Sequence, residues 1–329
     1  LCKLVLKTDG GGDLTVTVTG GYDVAGNTAL VFKDAGDWVL LGSVDVGGST
    51  ISCALADGDG QIAAEGSIAT EGYRGPEGVI ERMAGVIDDL ARQAGRRPVA
   101  VGVVVPGLVD VRRGVTKFLP NLPGKWRDVA VRELLEPRAK CPVFLLNDAR
   151  AAALGELTFG HGREVGSMVF FTLGTGIGGG IVIDGRLLRG PLGAAGEIGH
   201  MTIVPDGPRC GCGSRGCLET LFSGPALCGE GMRLLRSGQA PKLFERLGGD
   251  AGRLSPKEMA LAAEEGDVAV REVLVRHAEY LGIGVANLVM SLDPDLVVLG
   301  GGVAQMGALL FDTVRETVSR RVFMVPIDR

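Results

Sequence analysis

Apolar positions in the first half of the chain fall into short β-branched runs separated by glycine clusters, and in the second half into longer stretches with helical spacing. Trp38-Val-Leu-Leu-Gly-Ser-Val-Asp-Val46 reads as a buried strand, Ile51–Ala56 as a second and Gln61–Thr70 as a third. Gly47–Thr50 and Asp57–Gly60 are the turns between them. From Pro76 to Gly95 the spacing predicts a helix with Val79, Ile80, Met83, Val86, Ile87 and Leu90 on one face. Val99–Val105 and Cys141–Leu146 are buried-strand patterns, and a helix starts over residues 149–156. Ser167–Leu173, a glycine tip at Gly174–Gly180 and the strand that runs on to Gly185 repeat the layout of residues 43–60. A repeat of this kind argues for two related lobes, each opening with a hairpin.

Further on, Ser223–Arg236 reads as helical, and Ser255-Pro-Lys-Glu258 is a capping box that opens a helix to about Glu265. Asp267 to about Met290 is a long amphipathic helix. Asp295–Leu299 is a final strand, and Gly300-Gly301-Gly302 leads into a helix from about Val303 to Arg320. Near the start, Leu14–Thr19 alternates like a strand between glycine clusters; residues 1–37 form an N-terminal extension of unknown role.

Composition narrows the classes. With 329 residues, 46% hydrophobic, 5% aromatic and 54 glycines, the chain is a globular protein of about two domains with an aliphatic core. The net charge of −5 and the lack of a Lys/Arg run exclude the footprint of a nucleic-acid binder. No apolar run is long enough to span a membrane, and the N-terminus does not read as a secretory signal. Seven cysteines, four of them (Cys2, Cys53, Cys141, Cys228) scattered among apolar residues, fit reduced thiols in the cytoplasm.

The candidate chemistry centres on residues 197–219. Cys210, Cys212 and Cys217 lie on a glycine-rich knuckle with His200 upstream. Three thiols and an imidazole satisfy tetrahedral zinc with no open position, which is a structural site; reduced loop cysteines without a metal are the alternative. Glu197 and Glu219 bracket the knuckle, so a metal there would fix both carboxylates. Gly47, Gly48, Ser49 and Thr50 follow Asp45 and expose backbone N–H groups that suit phosphate, although a plain hairpin turn fits the same residues. Gly174, Thr175 and Gly176 form the matching tip, and Gly300–Gly302 would let a flat nucleoside lie on the backbone. Asn121, on a proline-bounded loop, suits either a hydroxylated ligand or the turn itself. Asn147-Asp148 ends a strand at a strand-to-helix junction, where open α/β sheets hold ligands; Asp148 as a helix cap is the alternative.

These motifs resemble the ROK family (repressors, open reading frames, sugar kinases) over about residues 39–325. Asp45–Thr50 looks like its first phosphate motif, Pro120–Gly124 like the sugar loop of bacterial glucokinases and Asn147-Asp148-Ala like the catalytic motif. Gly174–Gly180 looks like the second phosphate motif, Leu299–Val303 like the adenosine motif, and Glu197-x-Gly-His200 with Cys210-x-Cys-Gly-x-x-Gly-Cys217-x-Glu219 like the zinc and sugar signature. The resemblance implies an α/β, two-lobed actin-like ATPase (ribonuclease H-like) fold with a ligand cleft between the lobes. It divides the chain into a small lobe, 38–148, and a large lobe, 149–329. The implied reaction is ATP-dependent phosphorylation of a hexose at its 6-hydroxyl, glucose first, with fructose, N-acetylmannosamine or an amino sugar as alternatives and a sugar-sensing repressor as the rival class.

In that reading Asp148 is the general base, and Asn121, Asn147, Glu197, His200 and Glu219 bind the sugar. Mg²⁺ accompanies ATP near Asp45, zinc is structural, and the protein is a homodimer or homotetramer. Three features depart from the family pattern: Arg150 in place of Asn, Lys125 inserted before Trp126, and no closing strand and helix after Arg320. The first is expected to bear on sugar choice. The last reads as a C-terminal truncation, expected to expose apolar surface and lower activity.

Overall fold

The computed structural model describes residues 2–8, 14–20, 40–57, 60–119 and 122–325. It divides into two compact units, one of Asp23–Glu164 with Arg186–Gly196, the other of Leu1–Tyr22, Val165–Gly185 and Glu197–Arg329.

The first unit is built on a five-stranded sheet. Leu41–Val46 pairs antiparallel with Thr50–Ala56, which pairs antiparallel with Ile62–Ala69. On its other side Leu41–Val46 pairs parallel with Ala100–Val105, and that strand pairs parallel with Val143–Asn147. All six residues of Ala100–Val105 are buried, as a central parallel strand requires. The helix Gly75–Gln93 buries the six residues expected of it, Val79, Ile80, Met83, Val86, Ile87 and Leu90. Burial of such side chains contributes roughly 1.5–3 kcal/mol each.

The unexpected elements include two in the first unit. The helix Val131–Ala139 carries Pro137 in its last turn, and that proline hides the helical pattern in so short a segment. The small hairpin Leu108–Asp110 with Val115–Phe118 has too few residues for its alternation to show.

The second unit repeats the opening of the first. Met168–Leu173 pairs antiparallel with Ile177–Ile183 and parallel with Leu296–Gly300, as Leu41–Val46 does with its own two neighbours. The repeat read from the sequence is therefore a repeat of topology. Cys2–Thr8 adds to the far edge of Leu296–Gly300 and Leu14–Gly20 adds to Cys2–Thr8, both antiparallel. Val169, Phe171, Leu173, Val297 and Leu299 share one core with Leu281, Val285, Val289, Phe311 and Val314 of the helices Val268–Leu292 and Ala308–Arg321.

Helix starts follow the capping residues. Ser255 Oγ accepts the Glu258 N–H at 3.2 Å, Asp267 Oδ1 that of Val270 at 3.3 Å, and Ser223 Oγ that of Ala226 at 3.4 Å. Ser223 also separates the short helix Leu218–Phe222 from Gly224–Arg236. The helix expected from Val303 is interrupted: a 3₁₀ turn, Gly302–Met306, precedes it, and Gly307 at φ 73° breaks the chain before Ala308–Arg321. Among the described residues no helix is long and apolar enough to cross a membrane.

Candidate active site

In the first unit the candidate residues collect at the C-terminal ends of neighbouring strands. Asp45 is in register with Val104, Val104 with Leu146, and Val105 with Asn147. Asp45 thus stands on one strand flanking Ala100–Val105, and Asp148 directly follows Asn147 at the end of the other. The two carboxylates sense each other: burial first, and then the Asp148 charge, push the Asp45 carboxyl up to about 6. The glycine tip beside them is braced from below. Gly47 N–H donates to Thr50 O at 2.8 Å, Thr70 N–H to Ser49 O at 2.8 Å and Thr70 Oγ1 to Gly47 O at 2.7 Å. Gly48, Ser49 and Thr50 are exposed on this frame. Thr70 was not singled out in the sequence, since a threonine ending a strand carries no signal of its own.

Asn147 and Asp148 divide the work at the strand-to-helix junction. Asn147 is the N-cap of the helix Asp148–Phe159, its Oδ1 accepting the Arg150 N–H at 3.3 Å. Its amide donates to Gly107 O at 3.0 Å and to Asp148 Oδ1 at 2.8 Å. Asp148 Oδ1 also accepts the Ala149 N–H at 2.8 Å. Two donors on one oxygen fix the rotamer of the carboxylate. The cap is therefore Asn147, and Asp148 stays exposed at the strand end. With Asn147 only 6% exposed and both amide protons committed, its one remaining capacity is to accept at Oδ1. Asn121 lies outside the described residues.

Arg150 is buried. It is 2% exposed, and its Nε donates to Ala195 O at 2.7 Å. Helical spacing turns it to the buried side, where its guanidinium ties a helix to the segment Arg186–Gly196.

In the second unit the glycine tip Gly174–Gly176 and the triplet Gly300–Gly302 are neighbours, because Thr172 pairs with Gly300. Gly301 has φ 92°, and a Cβ there would stand 2.3 Å from Leu173 O, so only glycine permits this approach of two backbones. Gly174 N–H donates to Gly176 O at 2.9 Å, and Gly174 O accepts the Gly224 N–H at 2.8 Å. Thr175 is exposed at the apex.

His200, Cys210, Cys212 and Cys217 converge, with one donor atom from each within 4.8 Å of the others. Cys210 Sγ lies 3.5 Å from His200 Nδ1, and Cys212 Sγ lies 3.7 Å from Cys217 Sγ. A tetrahedral zinc with sulfur at about 2.3 Å and nitrogen at about 2.0 Å has edges of about 3.5–3.8 Å, so the donor set fits that ion. Burial pushes the Cys217 thiol up to about 12. The other imidazole nitrogen, Nε2, faces Glu197 Oε2 at 4.0 Å. Glu219 Oε2 accepts the Ile177 N–H at 3.0 Å, and its Oε1 lies 3.9 Å from Cys210 Sγ. Glu197 is exposed and Glu219 half-buried.

Two sheets that each open with a glycine-tipped hairpin, and a carboxylate at a strand end beside the first, define a phosphotransferase of the actin-like ATPase fold. The chain belongs to the ROK family, whose model matches residues 41–327. It is 38% identical over 282 residues to the glucokinase of Thermotoga maritima, covering 85% of this chain and 86% of that protein. It is similar to the crystal structure of a ROK family glucokinase from Streptomyces griseus in complex with glucose and AMPPNP (34% identity, TM-score 0.73, 88% of this chain and 92% of that one). It is also 32% identical over 297 residues to a xylose repressor of Caldicellulosiruptor bescii, covering 89% of this chain and 73% of that protein.

Proposed function

We propose that this protein is an ATP-dependent hexokinase that converts glucose to glucose 6-phosphate. The observation that carries the reading is the exposed Asp148 carboxylate, oriented by Asn147 and Ala149 beside Asp45 and the first glycine tip. Its relatives named as glucokinases set the substrate class.

In the proposed reaction Asp148 accepts the proton of the sugar 6-hydroxyl as that oxygen bonds to the γ-phosphorus of ATP. The bond from that phosphorus to the β-γ bridging oxygen breaks and ADP leaves. Phosphoryl transfer asks mostly for positioning and charge stabilisation, so one carboxylate base and two sets of backbone N–H groups meet its needs. Gly47–Thr50 and Gly174–Gly176 would hold phosphate oxygens, and Gly300–Gly302 the nucleoside. Mg²⁺ carried with ATP would neutralise phosphate charge, and Asp45 fits it, because a nearby cation would favour the ionised form of its raised carboxyl.

Asn121, Asn147, Glu197, His200 and Glu219 would bind the sugar hydroxyls, Asn147 by accepting at Oδ1. Polar partners placed for a hydroxyl reject an analogue that lacks it. Zinc held by His200, Cys210, Cys212 and Cys217 would be structural. Six described cysteines are free thiols, which suits a reducing cytoplasm.

The likeness to a xylose repressor supports a second reading, sugar sensing without turnover. ADP release with Mg-ATP over a hexose panel separates the two: glucose-dependent release supports the kinase, and sugar binding without release supports the sensor.

A further inference from the structure

The second glycine hairpin does not hold its shape alone. It is fixed at two points by the stretch that follows the cysteine knuckle. On one flank Gly174 O accepts the Gly224 N–H at 2.8 Å. On the other the Ile177 N–H, the first donor after the tip, is taken by Glu219 Oε2 at 3.0 Å. The fit between tip and carboxylate is close. A Cβ on Gly176 would stand 2.4 Å from Glu219 Oε2 and 3.2 Å from its Cδ. Gly176 lies outside the positive-φ region, so its lack of a side chain makes room for Glu219 and does not serve the backbone conformation. The opposite carboxylate oxygen faces Cys210 Sγ at 3.9 Å. Glu219 therefore spans from the knuckle to the hairpin with one oxygen toward each.

We propose that Glu219 is a positioning residue for the nucleotide: by holding the Ile177 N–H it keeps the hairpin Gly174–Gly180 in its phosphate-binding shape. This inference rests on the hexokinase reading and adds to the sugar contact assigned to the same side chain. A carboxylate serving the sugar alone has no need of the Ile177 N–H. Loss of Glu219 leaves that N–H without its charged acceptor and frees the tip to rearrange, and such a bond is worth about tenfold or more in binding.

The test is calorimetric binding of Mg-AMPPNP without sugar, on zinc-loaded protein of wild-type metal content. Glu219→Ala is expected to weaken binding about tenfold. Glu219→Gln, whose carboxamide oxygen still accepts the Ile177 N–H, is expected to stay within about threefold of wild type. Gly176→Ala, whose methyl displaces Oε2, is expected to match Glu219→Ala in the wild-type background and to add little on top of it. It carries the prediction if Glu219→Ala does not fold. Wild-type affinity in either Ala variant, or full additivity of the two, would overturn the inference while leaving the hexokinase reading intact. Failure of the wild-type protein itself to bind Mg-AMPPNP would overturn that reading and this inference with it.

Discussion

Asn147 Nδ2 donates to Asp148 Oδ1 at 2.8 Å, so the residue that caps the helix also aims the carboxylate at its first position. The proposed base thus depends on its chain neighbour. Asp148→Asn preserves shape and removes proton acceptance. It is expected to lower kcat by about 100- to 10,000-fold with little change in the KM for glucose. Steady-state ADP release measures both.

Asn147→Ala loses two roles at once. The missing cap costs about 1 kcal/mol of stability, read as a lower urea midpoint at constant slope. The unaimed carboxylate lowers kcat, and about tenfold is expected from loss of a single orienting hydrogen bond. Asn147→Asp is expected to recover the stability, because aspartate caps as well, while kcat stays low because a second carboxylate repels Asp148. A parallel recovery of both would contradict the division of roles.

Asp45 gives the pH dependence. Its folded-state carboxyl sits at about 6, above the ordinary 3.8, through burial first and the Asp148 charge second. Between about pH 4 and 6 the native state therefore binds more protons than the unfolded chain. Stability falls as pH rises through that window, and the penalty is complete above it. Asp45→Asn is expected to raise Tm at pH 7.5 and to lose that advantage near pH 4, with a ceiling of about 3 kcal/mol for two pKa units. In Asp148→Asn the Asp45 carboxyl is expected to titrate below about 6 and still above 3.8, since burial remains. Carboxyl NMR titration checks both.

Arg150→Ala opens a large hole and leaves Ala195 O without its guanidinium donor. A loss of roughly 2–4 kcal/mol is expected. The ranking of hexoses by kcat/KM is expected to be unchanged, because the side chain faces the interior. A changed ranking at unchanged stability would contradict its buried placement.

Cys217→Ser tests the knuckle. One of four converging donors is lost, so bound zinc is expected to disappear and unfolding to become easier by about 4 kcal/mol or more, as for loss of a structural metal. Elemental analysis and thermal denaturation are the readouts.

Much of this was legible in the sequence where one residue type has one physical use. The six-residue apolar face of the first helix and the twin glycine-tipped hairpins read correctly, because periodicity is local, and the four Cys/His residues singled out by their spacing do converge. What did not read depends on chain segments far apart in sequence. The brace of Thr70 under Gly47 joins residues 23 apart, and the reach of Glu219 to Ile177 joins residues 42 apart. The bond from Arg150 to Ala195 O joins residues 45 apart, and the helical turn after Asn147 carries that charge inward. The helix Val131–Ala139 was hidden by Pro137, and Gly307 split a helix that apolar spacing alone would have run together.

The most direct test of the central claim is product identification: zinc-loaded protein, Mg-ATP and glucose, with glucose 6-phosphate and ADP quantified together. The two products are expected in equal amounts and are expected to nearly disappear in Asp148→Asn. Absence of glucose 6-phosphate from folded, metal-replete protein that binds both substrates, or equal turnover by Asp148→Asn, would contradict it.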